Sequence, residues 1–531
     1  MPDQPSQGAE QVRAAEVIGA LCLATDLGMG FPFEHGLQST LIAARLAARL
    51  GLDAETASQS YYACMLSHAG CTTDAHVTAE VFGDSLTTHF NPVTYGRQRE
   101  VIAGLLRALP DPERPAPVRA LQTARRLPRM ARSARPAFTA ICEVAGMLAE
   151  GVSLPPSVHG LFFHLSERWD GNGPLRRARG DEIPLPMRIV HVAVDAAYQR
   201  MLGNVEHAAR LVRERGGVGL DPEIATCLAD AADEILALDP EASVWDQVLA
   251  SEPEPRLTLE GEAIERALAT MGGFADLISP YFGGHSAGVA ELVAATAVRC
   301  RVDEGGAIAV RRAALVHDLG RVAIGARTWQ KPGSLSADEW EQVRLHPYHT
   351  ERVLSRSPFL SALAPIAGAH HERLDGSGYH RASVGAALGM PARLLAAADL
   401  YHAMREPRPH RDPLAPAQAA EVLGEEANVG RLDADAVIAV IEAAGQRVPP
   451  IERPAGLTER EAEVVGMLAR GLQTKQVARA LGISAKTADR HVQNAYGKIG
   501  VSTRAAATLF AMENGLLAWG ELPMARRAGR A

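Results

Sequence analysis

Nine of the eighteen histidines lie between positions 285 and 410, and they keep company that suits a cation. His317 and Asp318 form one doublet and His370 and His371 another. Successive residues on a helix diverge by about 100°, so an imidazole can serve one metal while the neighbouring carboxylate bridges to a second. His285, His346 and Asp399 complete a set of seven: His285, His317, Asp318, His346, His370, His371 and Asp399. Seven such donors suit two divalent ions about 3.5–4 Å apart with room for a bridging water. Ligation by nitrogen and oxygen without Cys points to Fe or Mn, with Zn, Ni or Co as alternatives. A pair of this kind clamps a phosphodiester and makes hydroxide available near neutral pH, so hydrolysis of a P–O bond is the reaction it suits best. His349, His402 and His410 read instead as helix caps or core hydrogen bonders.

The elements that must position these groups follow from apolar spacing and end signals. Gly283-Gly284-His285-Ser286 opens a helix with Val289, Leu292 and Val293 on its buried side, and Leu315 to Gly320 ends another on His317-Asp318. Ser336 reads as an N-cap with Asp338 and Glu339 in the first turn, where acids suit the positive helix end. That helix runs toward His346, and Pro347 marks a break. After His370-His371 the chain enters a Gly-punctuated turn, Glu372-Arg373-Leu374-Asp375-Gly376-Ser377-Gly378-Tyr379-His380.

The same order occurs once before. His35 answers to His285, His68 to His317, Glu167-Arg168-Trp169-Asp170-Gly171-Asn172-Gly173 to 372–378, and Asp195 to Asp399. The intervals agree within a residue, 33 against 32 for the first pair and 25 against 24 from the motif Asp to the last Asp, which points to internal duplication. Ala69 stands where Asp318 stands, and Leu165-Ser166 where the histidine pair stands, so this copy keeps the scaffold without the ligands. Its His35, His68 and Asp195 are expected to be satisfied structural groups. Between Arg107 and Arg135, several prolines and eight arginines predict a loop or mobile crossing, with a solvated linker favoured over a basic anion-binding loop. Ser251-Glu252-Pro253-Glu254-Pro255 reads as the break between copies.

The last segment has a different pattern. Thr458 is placed as N-cap of a helix ending at Gly471, and 474–481, Gly482-Ile483 and 484–499 form a helix, a tight turn and a second helix. That second helix exposes Lys486, Thr487, Arg490, His491 and Asn494 with Lys498 beyond, types that pair with phosphates and base edges. Ala488, Val492, Ala495 and Ile499 can face inward. Eight basic against six acidic residues over 457–521 give a net of +2, so non-specific attraction to DNA is modest, and from charge alone a dimerisation or protein-docking module is the competing reading.

Two resemblances follow. His317-Asp318-Leu319-Gly320-Arg321, Lys331-Pro332-Gly333, His346-Pro347, the run from His370 to His380, Ala398-Asp399 and Arg408-Pro409-His410-Arg411 resemble the HD-GYP subgroup of HD phosphohydrolases over roughly 275–445. That resemblance implies a helical domain with a two- or three-metal centre that linearises cyclic dinucleotides, most often cyclic di-GMP, with the seven residues above as ligands and Asp318 as the bridge. It also implies a phosphate contact for Arg321, where the family has Lys. Tyr281 stands where trinuclear members have Glu, which argues for two metals, and His380 replaces the final Pro of the family signature. Residues 457–519 resemble the LuxR-type C-terminal DNA-binding domain through Leu457-Thr458, Arg460-Glu461, Leu481-Gly482-Ile483-Ser484, Lys486-Thr487, His491-Val492 and Lys498-Ile499-Gly500-Val501. By that resemblance Lys486, Thr487, Arg490, His491 and Asn494 line the recognition helix, and a final helix near Ala505 to Met512 often pairs subunits.

The bulk composition sets bounds on this reading. A net charge of -8 provides no global basic field, so nucleic-acid binding must come from a local surface. Six scattered cysteines without a C-x-x-C pair read as reduced thiols of a cytosolic protein, and no apolar run reaches a membrane span. The expectation is an all-α chain: a degenerate HD-like domain over 1–250, an HD-GYP-like phosphohydrolase domain over 257–445, and a four-helix LuxR-type helix-turn-helix domain over 456–520. Its partners would be a cyclic dinucleotide or another phosphoester, DNA, and a second copy of the chain. The alternative is a transcriptional regulator whose metal domain senses a nucleotide or metal without turnover.

Overall fold

The computed structural model describes residues 10–72, 90–112, 114–239, 241–300 and 302–517. Among them the fold is all-α apart from one two-stranded ladder, as the apolar spacing predicts. The chain divides into two compact units, Met1–Gly283 with Leu319–Lys331 and Arg352–Leu360, and Gly284–Asp318 with Pro332–Glu351 and Ser361–Ala531.

In the first unit, β1 (Gln11–Arg13) pairs antiparallel with β2 (Thr258–Glu260), and the Ala14 amide donates to the Leu257 carbonyl at 2.8 Å. The acidic Pro-rich break is therefore held rather than free. Glu252 is buried, accepting from Arg13 Nε at 3.0 Å and from the Tyr62 hydroxyl at 2.5 Å. This tie keeps the segment on either side of the break, through Gly283, with the first unit, beyond the boundary read from composition. Helix α1 (Ala14–Met29) buries nearly every residue from Ala14 to Asp26, and α2 (His35–Arg49) begins on His35. Helix α3 (Ala54–Met65) is capped by Asp53, whose carboxylate accepts from Thr56 N at 2.8 Å.

The stretch expected to be a loop is helical. After α4 (Gln98–Ala108), α5 (Ala116–Gly151) runs 36 residues through Pro128 and Pro136. An interior proline costs a helix about 3 kcal/mol, which is why these prolines read as breakers. The intervening Ala, Leu, Arg and Gln are strong helix formers, Pro117 sits in the first turn where its missing N–H costs nothing, and the far end is anchored by buried Cys142, Ala145, Leu148 and Ala149. Helices α6 (Leu185–Leu202) and α7 (Val205–Arg215) follow, and α8 (Glu262–Asp276) closes the unit.

The second unit is built on α9 (His285–Ala297), α10 (Glu304–Val316), α11 (Ala337–Arg344) and the first six residues of α12 (His346–Leu354), followed by α13 (Met390–Met404). The Ser336 cap forms a reciprocal box with Glu339, at 3.2 and 2.6 Å. Four further helices, α14 (Glu459–Ala469), α15 (Thr474–Ala480), α16 (Ala485–Ile499) and α17 (Arg504–Glu513), make the C-terminal domain. Its core joins Val465, Ala469, Ala495 and Ala511 with a second cluster of Val464, Leu468, Val477 and Val492. Arg393, at the start of α13, is buried and donates to the carbonyls of Leu388 and Gly385, to the Asp433 carboxylate at 2.8 Å, and to the carbonyl of Gly515 just past α17.

Candidate metal centre

Three of the histidines sit just beyond the last turn of a helix, and the helix end fixes their chemistry. His317 Nδ1 donates to the Ala314 carbonyl at 2.7 Å, His346 Nδ1 to Val343 at 2.6 Å, and His370 Nδ1 to Ala367 at 2.6 Å. Each acceptor lies three residues earlier, among the carbonyls that a helix terminus leaves without an intrahelical partner. A carbonyl can only accept, so the proton of each neutral ring is on Nδ1 and the Nε2 lone pair is turned inward.

Those lone pairs converge on Asp318, which is buried. Its Oδ2 lies 3.2 Å from His285 Nε2 and 2.9 Å from His317 Nε2. Its Oδ1 lies 3.2 Å from His346 Nε2 and 3.3 Å from His370 Nε2. Asp399, near the middle of α13, extends the first group, 3.2 Å from His285 Nε2 and 3.7 Å from His317 Nε2. His371 extends the second, with Nδ1 3.6 Å from Asp399. All seven residues expected as ligands are thus together, as one cluster of His285, His317, Asp318 and Asp399 and one of His346, His370 and His371.

These residues fit divalent cations. Nε2 of His346 and Nε2 of His370 face each other at 3.0 Å, two atoms that in the tautomers set by the helix ends are both acceptors. Acceptors and carboxylates crowded into a buried space repel unless positive charge lies among them. Where only protons supply that charge, burial works against a charged His317, yet Asp318 and Asp399 outweigh it and raise the imidazole to about 9. Burial lowers His370 to about 4 and pushes His371 well below its ordinary value. Asp399, despite burial, is held well below the carboxylate range by His285 and His317.

Glu406 was not anticipated. It lies 3.0 Å from His285 Nδ1, opposite the nitrogen that faces Asp318, and so fixes that ring's tautomer and direction as outer carboxylates do in metal sites. Arg408 at 2.8 Å and His402 Nδ1 at 3.0 Å hold Glu406 in turn, and His285 and His402 keep it below the usual carboxylate range despite its burial. A His-to-Glu spacing of four, 402 to 406, is the signal that could have flagged it, and His402 has a role there outside the seven. Arg321 lies in the first unit, with its guanidinium 4.4 Å from the Phe282 ring and 5.8 Å from Trp329.

The turn after the histidine pair is built alike in both copies. The Glu372 carboxylate accepts from the amides of Arg381 and Ser383 at 3.1 and 2.7 Å, and that of Glu167 accepts from Arg177 N at 2.9 Å. Asp375 Oδ1 accepts from Ser377 N and Asp170 Oδ1 from Asn172 N, both at 2.9 Å. A Cβ on Gly378 would come within 2.6 Å of Glu372 Cα, and one on Gly173 within 2.7 Å of the Ser166 carbonyl, so both positions need glycine for close backbone approach. In the first copy Asp195 is paired with buried Arg215, which also donates to the Pro92 carbonyl at 2.8 Å. A guanidinium thus neutralises the acid that corresponds to Asp399. His35 is packed 4.6 Å from Phe31 and 5.8 Å from Tyr198, and its Nε2 makes no hydrogen bond, so it is an apolar packing group more than a satisfied polar one.

In the C-terminal domain, Lys486, Thr487, Arg490 and Asn494 are exposed on α16 and His491 is half-buried, while Ala488, Val492 and Ala495 are buried. Lys498 is engaged inside the domain, 2.6 Å from Glu461 and 2.9 Å from the Gly456 carbonyl.

Comparison with known proteins gives this geometry a class. Residues 272–436 match the family model described as HD domain, and residues 455–511 the one described as bacterial regulatory proteins, luxR family. The chain thus carries an HD domain followed by a LuxR-type domain, and its relatives are cyclic dinucleotide phosphodiesterases of the HD-GYP type. It is 28% identical to 3'3'-cGAMP-specific phosphodiesterase 3 of Vibrio cholerae over 75% of this chain and 87% of that protein. It is 35% identical to the cyclic di-GMP phosphodiesterase response regulator RpfG of Xanthomonas campestris, over 28% of this chain and 41% of that one. The crystal structure of the cyclic GMP-AMP specific phosphodiesterase V-cGAP3 of V. cholerae shares the fold, with a TM-score of 0.56 at 24% identity over 82% of this chain and 98% of that one. No helix among the described residues is long and apolar enough to cross a membrane.

Proposed function

We propose that the chain is a cytosolic, metal-dependent phosphodiesterase that hydrolyses a cyclic dinucleotide, and that the state of this centre governs DNA binding by the C-terminal domain. The observation that carries the reading is the division of Asp318, one carboxylate oxygen toward His285 and His317 and the other toward His346 and His370. Asp318 so placed would be shared by two ions if a pair is bound, with His285 and His317 holding one and His346 and His370 the other, and Fe or Mn would suit a donor set of nitrogen and oxygen alone. When bound, two such ions supply Lewis-acid charge to a phosphodiester and lower the pKa of water. The protein's own part is to fix four imidazole tautomers through Ala314, Val343, Ala367 and Glu406, so that the lone pairs stand ready without rearrangement. Arg321 is assigned to a phosphate oxygen. Lys486, Thr487, Arg490, His491, Asn494 and Lys498 are assigned to DNA, Lys498 being held also by Glu461 and the Gly456 carbonyl, and α17 to pairing of two copies.

Among cyclic dinucleotides, 3'3'-cGAMP is favoured over cyclic di-GMP, because the similarity that runs through both halves of the chain is to a protein named for 3'3'-cGAMP. Full-length protein loaded with Mn or Fe is expected to linearise 3'3'-cGAMP, and His317→Ala with Asp318→Ala to abolish the reaction. Absence of turnover of 3'3'-cGAMP, cyclic di-GMP and cyclic di-AMP alike sinks the enzymatic reading.

A further inference from the structure

The longest helix of the molecule has a charge distribution that neither the metal centre nor the helix-turn-helix uses. From Arg114 to Cys142 there are seven arginines and not one Asp, Glu or Lys, in a chain whose net charge is -8. Arg126 is tied to the Leu109 carbonyl at 2.5 Å, and Arg114 lies 3.5 Å from Asp111. Arg119, Arg125, Arg129, Arg132 and Arg135 are exposed, and none has an ion-pair partner among the described residues. Arg125, Arg129 and Arg132 follow one another at spacings of four and three, which places them on one face of α5. They span roughly 10.5 Å of helix axis. Like charges at such spacing oppose a helix, so the row is a cost to folding.

We infer that this face of α5 is a second nucleic-acid contact, one that binds the phosphate backbone of duplex DNA without reading sequence. Duplex DNA carries one negative charge per about 1.7 Å of axis, so a row of this length meets several phosphates at once. The planar guanidinium fork matches phosphate oxygens better than an ammonium does, and the row contains arginine only. A bilayer fits less well. A helix lying in a membrane interface needs a continuous apolar face opposite its basic one, whereas of the exposed large apolar residues of the basic stretch Val118 and Leu121 fall on the arginine face and Leu127 alone lies opposite it. DNA also meets a need of this chain, since the helix-turn-helix segment carries a net of only +2. The inference does not depend on the reaction catalysed at the metal centre.

The test uses the full chain with its recognition helix disabled by Lys486→Ala and Arg490→Ala, and follows binding of a scrambled DNA duplex by anisotropy between about 50 and 200 mM salt. Residual binding is expected. Adding Arg125→Gln, Arg129→Gln and Arg132→Gln should weaken it at least tenfold at low salt and lower the slope of log affinity against log salt by about 2 to 3. A charge-matched control, Arg99→Gln with Arg210→Gln and Arg447→Gln, should leave the slope unchanged. Equal affinity and slope in the α5 variant, an equal loss in the control, or α5-dependent capture by phosphatidylserine vesicles with none by duplex would each overturn the inference.

Discussion

The guanidinium of Arg393 donates to the main-chain carbonyl of Gly515, so a buried charge in the metal-bearing domain holds the chain just past the last helix of the helix-turn-helix. The same guanidinium binds Asp433 and the carbonyl of Gly385, and Leu374, four residues after His370, lies 3.5 Å from the position a Cβ on Gly515 would take. Removing one partner of a buried ion pair costs about 3–5 kcal/mol. Arg393→Ala is therefore expected to destabilise the second unit by that order and to split its calorimetric unfolding into two transitions, the C-terminal domain melting separately. A single transition, merely shifted, would show that the Gly515 contact does not join the two domains.

Glu406 orients His285 from behind, and outer carboxylates of this kind are typically worth 10–100-fold in metal affinity. Glu406→Ala should weaken metal binding at the His285, His317 and Asp399 cluster by about that factor while leaving any binding at His346 and His370 little changed. Glu406→Gln, whose amide oxygen still accepts from His285 Nδ1, should fall between. Metal titration followed by calorimetry on the purified chain distinguishes the three proteins.

Asp318 belongs to one cluster and faces the other through Oδ1, so its replacement should act on both. Asp318→Asn is expected to lower the bound metal content by close to two ions per chain, and His371→Ala by close to one. Elemental analysis after desalting gives the stoichiometry directly, and equal losses in the two variants would contradict the division of Asp318 described above.

Acid should weaken the first unit through its buried histidines. Burial lowers His35 to about 3 and His68 to about 4, from 6.5 in the unfolded chain. Between these values the unfolded state binds more protons, so the contribution is fully present above about pH 6.5 and is lost as pH falls toward 4. Asp26, kept protonated by burial well above its ordinary range, has the opposite sign and is common to the proteins compared. His35→Gln with His68→Gln should therefore flatten the loss of unfolding free energy between pH 6.5 and 4 measured by urea titration, whatever its effect at neutral pH.

The seven candidate ligands are legible because they are rare residue types, and several stand at a helix boundary that the local sequence announces: Gly284 before His285, the Ser336 box ahead of His346, and Gly368 before His370, whereas Asp399 lies within a helix and is marked only by its apolar surroundings. The duplication was legible from spacing, and its shared turn from Glu372 and Glu167. Glu406 was not, because an acid just past a helix end is what a solvated surface also looks like. The helix across 116–151 was missed because two prolines outweighed the propensities of their neighbours, and helix formers there act together over many turns. Glu252 reads as part of a linker because nothing local marks the partners, Arg13 and Tyr62, that bury it from some 190 or more residues away.

Arg215 beside Asp195 carries a consequence for how the protein meets a shortage of metal. Its positive charge is covalently part of the chain, so no chelator can strip it, and none of the residue groups that could hold a metal ion among the described residues lies in the first unit. Treatment with EDTA should lower the melting temperature of the second unit and leave the first unmoved. The charge that would come and go with an ion in one copy is, in the other, built into the chain as Arg215.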